Sequence, residues 1–180
     1  MLKPSDKWNW YFCENEGHLM LDLGEEMVFR TNLSRNLLVE CALASTAFTV
    51  DDASDYQAFK DTIDLLKLSE PRKAELILNC VAAKRFHIPV QPKSWFFDTQ
   101  NNTLSPEEGD LVTLSNTLNQ GIFVVIESGE HASLCTCVEL DGFDLNGRKA
   151  LNFGQTIKVM HDRMESTDIK FSASQFAMVG

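Results

Sequence analysis

Trp8-Asn9-Trp10-Tyr11-Phe12-Cys13, Glu14-Asn15-Glu16-Gly17 and His18-Leu19-Met20-Leu21-Asp22-Leu23 follow one another near the start of the chain, and their reading decides the fold. Side chains alternate between the two faces of a strand. Trp8, Trp10 and Phe12 therefore share one face, and Leu19, Leu21 and Leu23 share one face of the next strand. The polar tetrapeptide ending in Gly17 reads as the turn between them. Gly24-Glu25 turns again and Met27-Val28-Phe29-Arg30 supplies a third strand, so the chain begins as an antiparallel meander with an apolar face to cover.

Two helices are placed to cover it. Asp51 reads as an N-cap, followed by Ala53, Tyr56, Phe59, Ile63 and Leu66 at three- and four-residue spacing. Ser69 caps a second helix with Glu70 and Pro71 in its first turn. Its buried stripe is Ala74, Ile77, Leu78, Val81 and Ala82, and Pro89 forbids its continuation. Residues 33–49 show no clear period. The expectation is an α/β domain over residues 1–91.

Beyond Pro92 the pattern changes to short β-rich runs: Lys93 to Asp98, Asp110 to Leu114, Ile122 to Glu127, Ala132 to Leu140, Arg148 to Phe153 and Thr156 to Met160. Asn- and Gly-rich turns such as Asn119-Gln120-Gly121 and Asn146-Gly147 separate them. Strands at this spacing predict a small barrel or rolled sheet over residues 92–170. Residues 171–180 read as a tail that docks through Phe171 or Phe176 or stays loose. The fold class expected is α+β, an α/β domain followed by a twisted β-barrel-like domain.

Composition limits the partners. A net charge of -10 and a pI near 4.8 argue against a general nucleic-acid binder and against an anionic membrane surface, both of which need a basic face. The polar opening Met1-Leu2-Lys3-Pro4-Ser5-Asp6-Lys7 does not resemble a secretory signal, and a cytoplasmic protein is expected. Five scattered cysteines (Cys13, Cys41, Cys80, Cys135, Cys137) then read as free thiols.

Against this acidity, no acidic residue occurs from Leu76 to Phe97, where even usage of the 26 Asp and Glu would place about three. The interval ends in Lys84-Arg85-Phe86-His87-Ile88-Pro89-Val90-Gln91-Pro92-Lys93-Ser94-Trp95-Phe96-Phe97. A second acid-free interval, Leu145 to His161, carries Arg148, Lys149 and Lys158, with Arg163 just beyond. Basic and aromatic residues concentrated on an acidic protein suit an acidic, apolar-bearing partner. The plainer alternative is a helix end running into a buried strand.

Catalytic signals are sparse. Phosphate loops, nucleophile elbows and H-E-x-x-H or paired C-x-x-C motifs are absent from the sequence. The best cluster is Glu127-Ser128-Gly129-Glu130-His131 with Cys135 and Cys137, which would serve as a metal site or let His131 activate the Cys135 thiol in a small β-barrel enzyme. Against that, Cys135 and Cys137 are two apart and share one strand face, the side expected to point into a core. No metal or cofactor is expected.

Eight short motifs in register resemble the ZapC family of cell division proteins. They are Trp8-x-Trp10-Tyr11, Met20-Leu21-Asp22-Leu23, Met27-x-Phe29-Arg30, Val50-Asp51-Asp52-Ala53, Lys73-Ala74-Glu75-Leu76-x-Leu78-Asn79, Pro92-Lys93-Ser94-Trp95-x-Phe97, Glu127-Ser128-Gly129-Glu130 and Ile157-Lys158-x-Met160-x-Asp162-Arg163. The similarity covers residues 3–163 and is weakest over 101–120. Where the family pattern leads one to expect Lys before the proline of the bend, this chain has Ile88, leaving the charge there to Lys84, Arg85 and His87.

The resemblance implies a non-enzymatic, monomeric protein of the γ-proteobacterial cytoplasm, at midcell on the Z-ring, that binds FtsZ and promotes lateral association of its polymers. It implies the same two-domain fold. FtsZ is itself acidic and displays a C-terminal peptide with apolar anchors, so two negative proteins would meet through a local basic patch beside a groove. The residues expected to contact it are Leu21 as groove floor, Trp95 and Phe97 as walls, and Lys93, Lys158 and Arg163 as charges.

Overall fold

A computed structural model describes residues 2–101 and 104–167; the expected tail at 171–180, with Phe171 and Phe176, lies outside the described residues. The chain divides into two compact units. The first contains residues up to Asp61 together with Leu68–Pro89, and the second contains Thr62–Lys67 and the chain from Val90 onward.

The first unit is a four-stranded antiparallel sheet with two helices. Its strands are β1 (Asn9–Cys13), β2 (His18–Gly24), β3 (Met27–Ser34) and β4 (Thr46–Ala47), in the order β3-β2-β1-β4. The alternation places Trp10, Leu19 and Leu21 inside without exposure, as the apolar face required. Trp10 stacks on Phe48 (centroids 5.8 Å apart) and meets Phe86 edge-on at 5.5 Å, while Trp8 meets Phe48 edge-on at 5.1 Å. Such aromatic geometry adds to the area each ring buries. Two-residue β4 lies in the stretch without a period, since a strand of that length shows none.

Helix α1 (Val50–Ile63) starts two residues earlier than expected. Thr49 is its cap: the Asp52 N–H donates to Thr49 Oγ1 (3.1 Å) and the Thr49 N–H donates to Asp52 Oδ2 (2.9 Å), a reciprocal capping box. Asp51 is thus a first-turn acid facing solvent and not the cap, and the helix ends at Ile63, short of Leu66. Helix α2 (Glu70–Phe86) starts as expected, with Ser69 Oγ accepting from the Arg72 N–H (3.4 Å) and Pro71 in the first turn. Its burial is wider than a stripe. Every residue from Leu76 to Ala83 is buried, so this half of the helix is enclosed on all sides.

The second unit carries a five-stranded antiparallel sheet and a small hairpin. The large sheet comprises β5 (Leu111–Ser115), β6 (Gln120–Ser128), β7 (Ala132–Cys137), β10 (Thr156–Met160) and β11 (Glu165–Ser166), in the order β10-β7-β6-β5-β11; the hairpin is β8 (Phe143–Asp144) with β9 (Ala150–Leu151). No closed barrel forms among the described residues, because β10 and β11 occupy opposite edges and share no ladder. The sheet is nonetheless curled. Four strand spacings of roughly 4.8 Å would part flat edges by roughly 19 Å. The link from Met160 to Glu165 reaches at most roughly 18 Å when extended, and a 3-10 turn at His161–Arg163 shortens it. The core inside the curl gathers Phe97, Phe123, Phe143, Cys135, Cys137, Ile157 and Val159.

Lys93 to Asp98 is not a strand. Ser94–Phe96 forms a 3-10 turn that bridges β10 and β5: the Lys93 N–H donates to the Lys158 carbonyl on β10 (2.8 Å) and the Asp98 N–H donates to the Ser115 carbonyl on β5 (2.8 Å). Pro92 just before it removes a donor that a regular ladder needs, which favours a turn here over a strand.

Candidate functional site

Charge is the first filter on the two basic intervals. Lys84 binds Asp55 (2.6 Å), and Arg85 pairs with the buried Asp52 and donates to the Ala47 carbonyl (3.0 Å). His87 Nδ1 lies 2.7 Å from the Ile88 carbonyl. The positive charge expected of Lys84, Arg85 and His87 therefore lies mostly within the first unit. Both basic side chains fasten α2 to α1 and to the stretch around β4, across 29 and 33 residues of sequence.

Lys93 and Lys158 differ: among the described residues neither takes part in an ion pair. They are joined through the main chain by the 2.8 Å bond from the Lys93 N–H to the Lys158 carbonyl. On β10, Ile157 and Val159 are buried while Thr156, Lys158 and Met160 alternate outward, which is the period-two pattern of an edge strand with one face on a core. Trp95 follows on the 3-10 turn with 70% of its surface exposed, the one exposed aromatic side chain among the described residues. Its ring rests 5.5 Å from that of Phe96, which packs on the core. Phe97 points the other way, into the core, 5.6 Å from Phe143, and is no groove wall.

Arg163 completes the cluster. Its Nε–H donates to the Ser94 carbonyl (3.3 Å), its Nη1 binds Asp162 (2.7 Å), and Ser94 Oγ accepts from the Met160 N–H (2.9 Å). Four of the six expected contact residues, Lys93, Trp95, Lys158 and Arg163, are thereby gathered around Ser94. Leu21 is not among them: it belongs to the first unit and has no exposed surface, so it packs as core and offers no floor to a surface groove. Ser94 was not singled out by sequence, since its role rests on contacts made 66 and 69 residues away.

The chemistry expected of His131 and Cys135 is not assembled. Cys135 is fully buried, and burial pushes its thiol up to about 12; burial likewise pushes Cys137 up to about 11. A thiol held neutral is neither a nucleophile nor a metal ligand. His131 is exposed on the β6–β7 turn, 3.7 Å from Glu130. No group of three or more candidate metal ligands occurs among the described residues. A serine–histidine contact that sequence did not suggest lies close by, with Ser133 Oγ 2.8 Å from His161 Nε2. Ser133 has no exposed surface, and its hydroxyl donates to Ser128 Oγ (3.2 Å), which in turn donates to the Pro106 carbonyl (2.6 Å). With no exposed surface on Ser133, this contact offers no open face at which a substrate could meet the hydroxyl.

The amino-acid sequence is matched by known proteins along its length. The family model "Cell-division protein ZapC, N-terminal" matches residues 1–88, and "Cell-division protein ZapC, C-terminal" matches residues 89–170. The chain belongs to the ZapC family of cell division proteins. Proteins named Cell division protein ZapC are 62% identical over 179 residues in Vibrio cholerae, covering 99% of each chain, and 57% identical over 180 residues in Vibrio vulnificus, covering all of each. One from Musicola paradisiaca is 36% identical over 186 residues, covering 99% of each. Among the described residues no helix is long and apolar enough to cross a membrane.

Proposed function

We propose that this chain is a non-enzymatic cytoplasmic protein that binds the C-terminal tail of FtsZ and promotes lateral association of FtsZ polymers in the Z-ring at midcell. The observation that carries this reading is Trp95. An exposed indole beside two lysines that form no ion pair among the described residues, on a chain of net charge -10, is what an acidic peptide with apolar anchors needs. Lys93, Lys158 and Arg163 supply the charge. A peptide that orders on binding gains modest affinity, roughly micromolar at one site. Many tails displayed along a polymer raise the avidity without new contacts.

The test is co-sedimentation with FtsZ polymers at several salt concentrations. The parent protein is expected in the pellet, less of it as salt rises, and little when the FtsZ tail is deleted. A Lys93→Glu, Arg163→Glu double variant is expected to stay in the supernatant while its circular dichroism is unchanged. Equal pelleting of the double variant would overturn the reading.

A further inference from the structure

The 3-10 turn bearing Trp95 is clasped from both sides by side chains that point at its main chain. On one side Arg163 Nε–H donates to the Ser94 carbonyl (3.3 Å). On the other, Asn116 Nδ2 donates to the carbonyl of Phe96 (3.2 Å), and the same amide reaches the carbonyls of Asp144 (3.0 Å) and Leu145 (3.3 Å). Asn116 Oδ1 meanwhile accepts from the N–H groups of Leu118 and Asn119, both at 2.9 Å, so its side chain is fixed at both ends. One amide thus ties the Trp95 turn to the β5–β6 loop and to β8. Trp95 is left exposed on a main chain whose flanking carbonyls are both held.

We infer that Asn116 and Arg163 are positioning residues for Trp95: they hold the indole for an acidic, apolar-bearing peptide and act on binding through the turn. This rests on the reading of the Lys93–Trp95 surface given above. A preorganised aromatic anchor loses less freedom on binding than a mobile one, which is why such a clasp raises affinity without touching the partner. Arg163 is suited to the role because half of its charge-bearing group faces inward, to Ser94, and its outer nitrogen is already paired with Asp162.

The experiment is 19F NMR of the protein labelled with 5-fluorotryptophan, together with titration of the FtsZ tail peptide. The Trp95 line is assigned by its loss in Trp95→Phe. Asn116→Asp keeps the acceptor and the shape but removes the donor and sets a carboxylate against three carbonyls. It is expected to move or broaden the Trp95 line, leave the Trp8 and Trp10 lines in place, and weaken the peptide about tenfold. Arg163→Lys keeps the charge and loses the Nε donor; it is expected to move the same line and weaken binding likewise, which serves if Asn116→Asp does not fold. An unmoved Trp95 line in the folded variants overturns the inference. So does full affinity in Arg163→Lys, which would make Arg163 a plain charge contact. If Trp95→Phe and Trp95→Ala bind as tightly as the parent, the binding surface itself is misplaced, whatever the line does.

Discussion

Asp52 shows how much one residue can hold. Its carboxylate is 2% exposed, yet it accepts from the Trp10 indole (3.1 Å) and the Thr49 N–H (2.9 Å) and pairs with Arg85. It therefore joins strand β1, the start of α1 and the end of α2. Asp52→Ala removes the capping box, leaves a buried indole N–H without its acceptor and takes from the Arg85 guanidinium its carboxylate, an expected loss of about 2–4 kcal/mol in urea unfolding. Asp52→Asn keeps one acceptor and is expected to lose less; equal stability of both to the parent would contradict the account. His161 is the second residue with a measurable consequence. Burial, aided by His131, lowers its pKa, against the Ala132 main-chain bond and Asp162, which raise it. A base whose folded pKa is depressed adds stability that is present above its unfolded value of about 6.5 and lost as pH falls through the folded value. Stability is expected to fall below about pH 6.5, with a shallower fall in His161→Gln; identical pH profiles would count against it.

Among elements, the β2–β3 hairpin is the strained one. Its two loop residues, Glu25 and Glu26, have φ of 53° and 64°, the left-handed region that a two-residue hairpin demands and that Asn-Gly adopts most easily. Two adjacent carboxylates there also repel. Replacing Glu25-Glu26 by Asn-Gly is expected to raise stability by about 1–2 kcal/mol, read as a higher urea midpoint with an unchanged slope; an unchanged midpoint would show that the loop relaxes its strain another way. At this scale much of the fold is legible in sequence. The meander and α2 declare themselves, because alternation over five to eight residues and a Ser-Glu-Pro start are strong local signals. The Thr49 cap is obscured by Asp51 beside it, since either acid suits a first turn. Strands β4, β8, β9 and β11 are two residues long and exist only through their partners, so no period announces them. The Trp95 turn reads as a strand because Trp and Phe favour strands, and only the bonds to β10 and β5 decide otherwise.

Across the whole molecule, charge is sorted in a way that composition cannot reveal. Of the basic residues in the two acid-free intervals, Lys84 and Arg85 are tied to carboxylates of the first unit, whereas Lys93 and Lys158 meet at the edge of the second unit with no ion pair among the described residues. The sequence marks the proposed site to within a segment, because an acid-free stretch is visible in one dimension. Which of its cations are tied to carboxylates or to the main chain depends on contacts 29 to 69 residues apart. Whether Trp95 and Lys93 receive the FtsZ tail, as proposed, is measured by fluorescence anisotropy of a labelled FtsZ tail peptide titrated with the protein. Binding to the parent protein is expected to be roughly micromolar and to weaken at least about tenfold in a Trp95→Ala, Lys93→Glu variant that keeps its fold; undiminished binding by that folded variant would rule the proposal out.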